Sequence, residues 1–167
     1  PLDLSLRQNV ERVLGVVLHN GYGLTETSPT ISRTLYAVGS NEVNIGTPIP
    51  GVEIKIVGSD GCEIMDGSPG ELHVRGPNVM LGYFRQPELT EAVIDKDGYL
   101  NTGDIVSVNS KQEMVVRGRT KELIIRSGFN VYPPEIEAAL NTHPAVLNSA
   151  VVGRSIEGNE EIVAFVE

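Results

Sequence analysis

Tryptophan is absent from the 167 residues, cysteine occurs once and aromatic side chains make up only 5%. The core must therefore be built mainly from Val, Ile and Leu, which are also good strand formers. A single thiol, Cys62, excludes an internal disulfide and a cysteine-rich zinc centre. Its place in Ser59-Asp60-Gly61-Cys62 is that of a turn or strand-edge residue. No apolar run approaches the ~20 residues needed to span a bilayer, and no signal peptide is visible. No transmembrane segment is expected, and the expected setting is a soluble, reducing compartment, the cytoplasm. Basic residues are the minority, 13 Lys and Arg against 22 Asp and Glu, for a formal net charge of -9. A field of that sign repels polyphosphate backbones, so no nucleic-acid partner is expected. A small phosphate ligand stays compatible, because a local pocket can be rich in backbone N–H groups. No GxGxxG fingerprint follows a strand and no Gly-x-Ser-x-Gly elbow occurs, which argues against a dinucleotide oxidoreductase and an acyl hydrolase. His19, His73 and His143 lack the spacing of a zinc site. Oligomeric state is not legible.

What is present is a globular composition, 40% hydrophobic, whose pattern changes twice along the chain. Residues 3–14 fit an amphipathic helix with Asp3 as N-cap and Leu6, Val10, Val13 and Leu14 on one face. Gly15 stops it, and Val16-Val17-Leu18-His19 reads as a short buried strand running into the glycine turn Gly21-Tyr22-Gly23. This is α/β organisation, with ligands expected beyond the carboxyl end of the strand. From about Asn44, short strands alternate with turns. Val52, Ile54 and Ile56 alternate with polar residues, Glu63-Ile64-Met65 is expected to return as their partner, and Leu72 and Val74 alternate with Glu71, His73 and Arg75. Pro87 starts a short helix through Val93, and strands follow at roughly 104–108 and 113–117. The pattern fits a small barrel or a curled sheet. After Gly118-Arg119, Leu123–Ile125 reads as a strand, 133–140 as a helix with Pro and Glu in its first turn, and 148–153 and 162–166 as strands, a β-β-α-β-β order. The expected fold class is mixed α/β and α+β. Residues 1–43 end an α/β part, 44–117 form a β-rich, barrel-like part, 118–121 are a hinge, and 122–167 begin a small α+β domain. The chain starts at Pro1 without a Met and stops within a strand-like apolar run, so a segment of a longer protein is expected.

Four stretches carry residues suited to chemistry. In Gly21-Tyr22-Gly23-Leu24-Thr25-Glu26-Thr27, the glycines let the backbone approach a flat ligand and Tyr22 offers a ring. Thr25 offers a hydroxyl to a phosphate oxygen, and Glu26 is a hard oxygen ligand suited to Mg²⁺. In Tyr99-Leu100-Asn101-Thr102-Gly103-Asp104, a carboxylate at a strand end can accept hydrogen bonds from both ribose hydroxyls. In Gly118-Arg119-Thr120-Lys121-Glu122, Arg119 can reach ribose or phosphate oxygens and Lys121 can be a pivot or an ion-pair partner. In Ser127-Gly128-Phe129-Asn130-Val131-Tyr132-Pro133, Gly128 permits close approach of a backbone or thin ligand. Taken alone, each stretch also fits a turn, a cap, a solvated charge cluster or a plain structural loop.

In this order and spacing, these stretches, together with Gly70-Glu71-Leu72-His73-Val74-Arg75-Gly76 and Leu81-Gly82-Tyr83-Phe84, make the chain resemble the AMP-forming adenylating enzymes over nearly its whole length. That superfamily includes acyl-CoA synthetases, beetle luciferases and peptide-synthetase adenylation domains. The resemblance implies a ligase that activates a carboxylic acid, fatty or aromatic, with ATP to acyl-AMP. The acyl group then passes to coenzyme A. It implies that Tyr22 stacks on adenine, Thr25 bonds the α-phosphate and Glu26 helps hold Mg²⁺. Gly21 and Gly23 border the ligand, Asp104 holds the ribose hydroxyls with Arg119 beside it, Lys121 is the hinge, and Gly128 lines the pantetheine tunnel. The partners it implies are a small-molecule carboxylic acid, ATP and coenzyme A. A Ser/Thr/Gly-rich phosphate-clasping loop and a C-terminal catalytic lysine, which the resemblance also implies, are expected outside the segment, so the segment alone is expected to be inactive. Alternatives are a peptide-synthetase adenylation domain loading a carrier protein and a non-catalytic structural fragment.

Overall fold

In the computed structural model, which describes residues 4–167, the chain opens on helix α1 (Leu4–Leu14). Asp3, the expected N-cap, lies outside the described residues. The helical spacing holds, but the apolar face turns to solvent: Leu6, Val13 and Leu14 are exposed, and the residue α1 buries is Arg7. Its guanidinium sits 4.1 Å from the centroid of the Tyr36 ring and donates to the carbonyls of Ser40 and Glu42. A buried cation is tolerated when paired and hydrogen-bonded: Nη1 and Nη2 tie the 36–44 loop to the helix, while Nε lies 3.8 Å from the Glu11 carboxylate without a hydrogen bond among the described residues.

The chain clusters into two units. The first runs through Thr102 and takes in Val106–Val116; the second comprises Gly103–Ile105 and Arg117–Glu167. In the first, β1 (Gly21–Tyr22), β2 (Ser32–Arg33) and β3 (Thr47–Pro48) form a small antiparallel sheet in that order. The strand expected at 16–19 does not form. The Leu18 N–H is taken by the Glu11 carboxylate at 2.9 Å and the Asn20 N–H by the Thr34 hydroxyl at 2.7 Å, so side chains replace a ladder.

A second sheet has the order β4 (Glu53–Val57), β5 (Gly70–Arg75), β6 (Leu100–Val108), β7 (Met114–Arg119), with α2 (Pro87–Val93) between β5 and β6 in the chain. Its order is open, with β4 and β7 at its edges, and no closed barrel occurs among the described residues. Of the two sequence alternatives, the curled sheet is the one formed. The return partner of β4 is β5, from Glu53 opposite Arg75 to Val57 opposite Glu71. Glu63 contributes only an isolated bridge to Val57, because Gly58 and Gly61 close a tight turn there. Alternation along β5 puts Gly70, Leu72 and Val74 inside and leaves Glu71, His73 and Arg75 half-buried. Leu72 and Val74 join Ile31, Ile45, Ile56, Leu100, Val106 and Met114 in the core. Each such side chain contributes about 1.5–3 kcal/mol when fully buried.

In the second unit, β8 (Ile124–Arg126) and β9 (Phe129–Val131) make a hairpin, α3 (Pro133–Leu140) follows, and β10 (Ser149–Ile156) pairs with β11 (Asn159–Val166) along its whole length. This is the β-β-α-β-β order read from the sequence. Helix α3 lies against β10 and β8 against β11, with Ile124 and Val151 buried between them. The Glu137 carboxylate on α3 accepts the Val151 N–H at 2.8 Å, which fixes the helix to the strand.

Candidate functional site

The loop after β1 is shaped by its own backbone. Gly23 has no room for a side chain: a Cβ there would lie 1.6 Å from the carbonyl oxygen of Pro29. A Cβ at Gly21 would meet nothing within 4 Å. Close approach at Gly23 is thus used within the loop, while Gly21 remains open. Tyr22 is half-buried and packs against the core cluster. Residues Thr25–Thr27 form one 3-10 turn. The buried Thr27 hydroxyl accepts the Leu24 N–H at 2.9 Å and lies within hydrogen-bond distance of the Leu24 and Pro29 carbonyls. Thr25 is exposed on this turn, and Glu26 beside it is half-buried.

A second segment grips this turn. The Asn78 side chain donates to the carbonyls of Thr27 at 3.0 Å and Thr30 at 2.8 Å. The Met80 N–H donates to the Glu26 carbonyl at 2.8 Å. The Tyr83 hydroxyl donates to Oε1 of Glu26 at 2.9 Å. That bond, strengthened by the carboxylate charge, raises the Tyr83 phenol above its ordinary pKa, because ionisation would remove the donor. Oε2 of Glu26 has no hydrogen-bond partner among the described residues. No group of three or more His, Cys, Asp or Glu able to hold a metal occurs among them either. One carboxylate oxygen suits Mg²⁺, which commonly binds through one or two carboxylates and substrate phosphates and keeps several waters.

The second unit carries the other expected residues. Gly103 (φ +71) adopts left-handed backbone inside β6, as at a bulge, immediately before Asp104. The Asp104 side chain is 5% exposed, and Arg119, at the end of β7, points its Nε at Oδ1 from 3.1 Å. Lys121 is exposed in the 3-10 turn Thr120–Glu122 and lines a cavity of about 460 Å³ with Ile124, Pro133, Glu137 and Gly153. Ser127 (φ 51) and Gly128 (φ 82) are the two turn residues of the β8–β9 hairpin. A turn with both residues left-handed matches the twist of its strands and favours glycine. A Cβ at Gly128 would meet nothing within 4 Å.

Sequence pattern alone does not mark Thr27, Asn78 or Tyr83 as site residues. Thr27 looks like any loop threonine and Asn78 like any turn residue. Tyr83 stands in a stretch that contributed to the resemblance, but no spacing rule joins it to a carboxylate 57 positions earlier.

A family profile described as AMP-binding enzyme matches residues 1–84. A long-chain-fatty-acid–CoA ligase of Yersinia pestis is 41% identical over 163 residues, covering 98% of this chain and 29% of that enzyme. 4-Coumarate–CoA ligase 1 of Oryza sativa subsp. japonica is 42% identical over 159 residues, covering 91% of this chain and 28% of that enzyme. The solved structure of O-succinylbenzoate coenzyme A synthetase from Bacillus subtilis, in complex with ATP and magnesium ion, superimposes with a TM-score of 0.87 at 33% identity. It covers 99% of this chain and 34% of that one.

Proposed function

The chain belongs to the AMP-binding enzyme family, and from that premise we propose that it works as part of a longer AMP-forming acid–CoA ligase. In the reaction, a carboxylate oxygen of the acid attacks the α-phosphorus of ATP, the bond to the bridging oxygen breaks, and pyrophosphate leaves. The coenzyme A thiol then loses its proton and attacks the acyl carbonyl, and AMP leaves with the bonding pair, giving the thioester.

The observation that carries this reading is the Asp104–Arg119 pair. Two residues from separate motifs, both expected at one ribose, stand 3.1 Å apart. Asp104 accepts the ribose hydroxyls, and Arg119, with 59% of its side chain exposed, is the partner that swings to admit them. Thr25 donates to the α-phosphate from its exposed turn, with Gly21 and Gly23 bordering the bound acyl-adenylate. Tyr22 places its ring against adenine. Glu26 helps hold Mg²⁺, which would supply charge neutralisation for the phosphates. Lys121 is the pivot between the halves of the catalytic cycle, and Gly128 borders the pantetheine arm. The acid is fatty or aromatic, a reading supported by the named substrates of the two relatives. Cytoplasmic localisation accords with the fact that no described helix is long and apolar enough to cross a membrane.

The test is a product assay on the full-length enzyme, with ATP, Mg²⁺, coenzyme A and a panel of long-chain and aromatic acids. Acyl-CoA and AMP in equal amounts are expected. Acyl-adenylate that passes only to a carrier-protein thiol assigns the chain to the peptide-synthetase branch, and no AMP with any acid overturns the ligase reading.

A further inference from the structure

We propose that Tyr83 is a positioning residue for Glu26, holding the carboxylate so that one oxygen is committed to the protein and the other is presented to the nucleotide's divalent cation. This rests on the proposed cation role of Glu26. The segment from Asn78 to Tyr83 makes four hydrogen bonds to residues 26–30, and the first three, from Asn78 and Met80, fix the main-chain carbonyls of Thr27, Thr30 and Glu26. They place the turn but leave the Glu26 side chain free to rotate. The Tyr83 hydroxyl is the described group that engages the carboxylate itself, at Oε1.

Tyr83 is in turn held from α2. The Thr90 hydroxyl accepts the Tyr83 N–H at 2.9 Å and donates to the Gln86 carbonyl at 2.9 Å. The Gln86 N–H returns to the Tyr83 carbonyl at 3.1 Å. A chain of bonds thus runs from a helix through Thr90 and Tyr83 to Glu26. Its rigidity matters because a half-buried glutamate side chain held at neither oxygen samples several rotamers. A ligand that must meet Mg²⁺ and phosphate oxygens together gains from having that entropy removed beforehand. Tyrosine suits this role because its hydroxyl sits at the end of a rigid ring and stays protonated beside the charge. Phenylalanine keeps the ring and removes only the bond.

Two measurements test this. In the 167-residue chain, ¹³Cζ-tyrosine NMR with Tyr83→Phe for assignment reads the phenol directly. At neutral pH the Tyr83 ¹³Cζ resonance is expected to shift in Glu26→Gln, because its hydroxyl loses a charged acceptor; no difference between wild type and Glu26→Gln overturns the bond. In the full-length enzyme, binding of Mn²⁺–ATP followed by electron paramagnetic resonance reads the cation, with melting temperature as the control for folding. Tyr83→Phe is expected to weaken cation binding about threefold to tenfold, the size of one modest hydrogen bond, without shifting the melting temperature. Glu26→Gln is expected to weaken it further, and Tyr83→Phe added to Glu26→Gln to do nothing more. If Glu26→Gln itself leaves Mn²⁺ binding unchanged, the cation role of Glu26 falls and the inference with it. If Glu26→Gln weakens binding and Tyr83→Phe does not, or if the two effects add, the cation role stands and the positioning role alone is overturned.

Discussion

Asp104 and Arg119 form an unequal ion pair: Nε and Oδ1 are 3.1 Å apart, with 5% of the aspartate side chain exposed and 59% of the arginine side chain. A pair with one partner in water contributes little net stability, about 0–1 kcal/mol. Its significance for the proposed site is positional: it sets a largely exposed guanidinium beside a nearly buried carboxylate. Replacing Asp104 with Ala in the full-length enzyme is therefore expected to weaken ATP binding by one or two charge-assisted bonds. At about 1.5–3 kcal/mol each, that is tenfold or more in Kd by calorimetry. Unchanged ATP affinity would remove Asp104 from the site.

The two glycines of the first loop are expected to respond in opposite ways. Gly23→Ala forces a methyl group to 1.6 Å from the Pro29 carbonyl, so the turn carrying Thr25 and Glu26 must move. A loss of about 1–3 kcal/mol, the scale of overpacking, is expected. Gly21→Ala meets nothing within 4 Å and should change stability by about 0.5 kcal/mol or less. Urea midpoints of the 167-residue chain compare them, and equal effects would show that the loop does not close on Gly23.

His73 on β5 makes stability depend on pH. Among the described residues neither ring nitrogen has a hydrogen-bond partner, and the Glu71 carboxylate is 3.9 Å away. Burial lowers its pKa, helped by Lys55 opposite, against the smaller opposing pull of Glu71 and Asp95. Below about pH 6.5 the unfolded chain takes up a proton that the folded chain resists, so stability falls as pH falls through that region. His73→Leu is expected to remove this component, raising the urea midpoint more at pH 5.5 than at pH 7.5. An equal shift at both pH values would contradict it.

Lys121→Pro tests the proposed pivot. Proline removes an N–H and fixes φ in the 3-10 turn Thr120–Glu122. In the full-length enzyme, thioester formation is expected to suffer more than adenylation, measured as separate half-reactions. Equal loss in both would argue against a hinge.

Sequence patterning reached most of the elements because their signals are local. Pro87 and Pro133 pre-set the first turns of α2 and α3, and both helices occupy the expected residues. Leu72 and Val74 alternate as a half-buried strand should. Long-range pairing was harder. Glu63–Met65 has the composition of a strand, but it makes only an isolated bridge to Val57, while the full five-residue register of β4 is with the more distant β5. The apolar face of α1 was legible, whereas the burial of Arg7 was not, because its partners are main-chain carbonyls more than 30 positions away. The same limit hid Tyr83 and Asn78. The Thr25–Glu26 turn is a local motif, but what orients it comes from a distant segment, and only three-dimensional pairing reveals the donor.

The most direct test of the nucleotide roles proposed for Glu26 and for Asp104 is acid-dependent exchange of labelled pyrophosphate into ATP. It is measured in the full-length enzyme as wild type, Glu26→Gln and Asp104→Ala, with folding verified by circular dichroism. Exchange that requires a carboxylic acid in the wild type and collapses in both variants is expected. Exchange at the wild-type rate in both folded variants would contradict those roles.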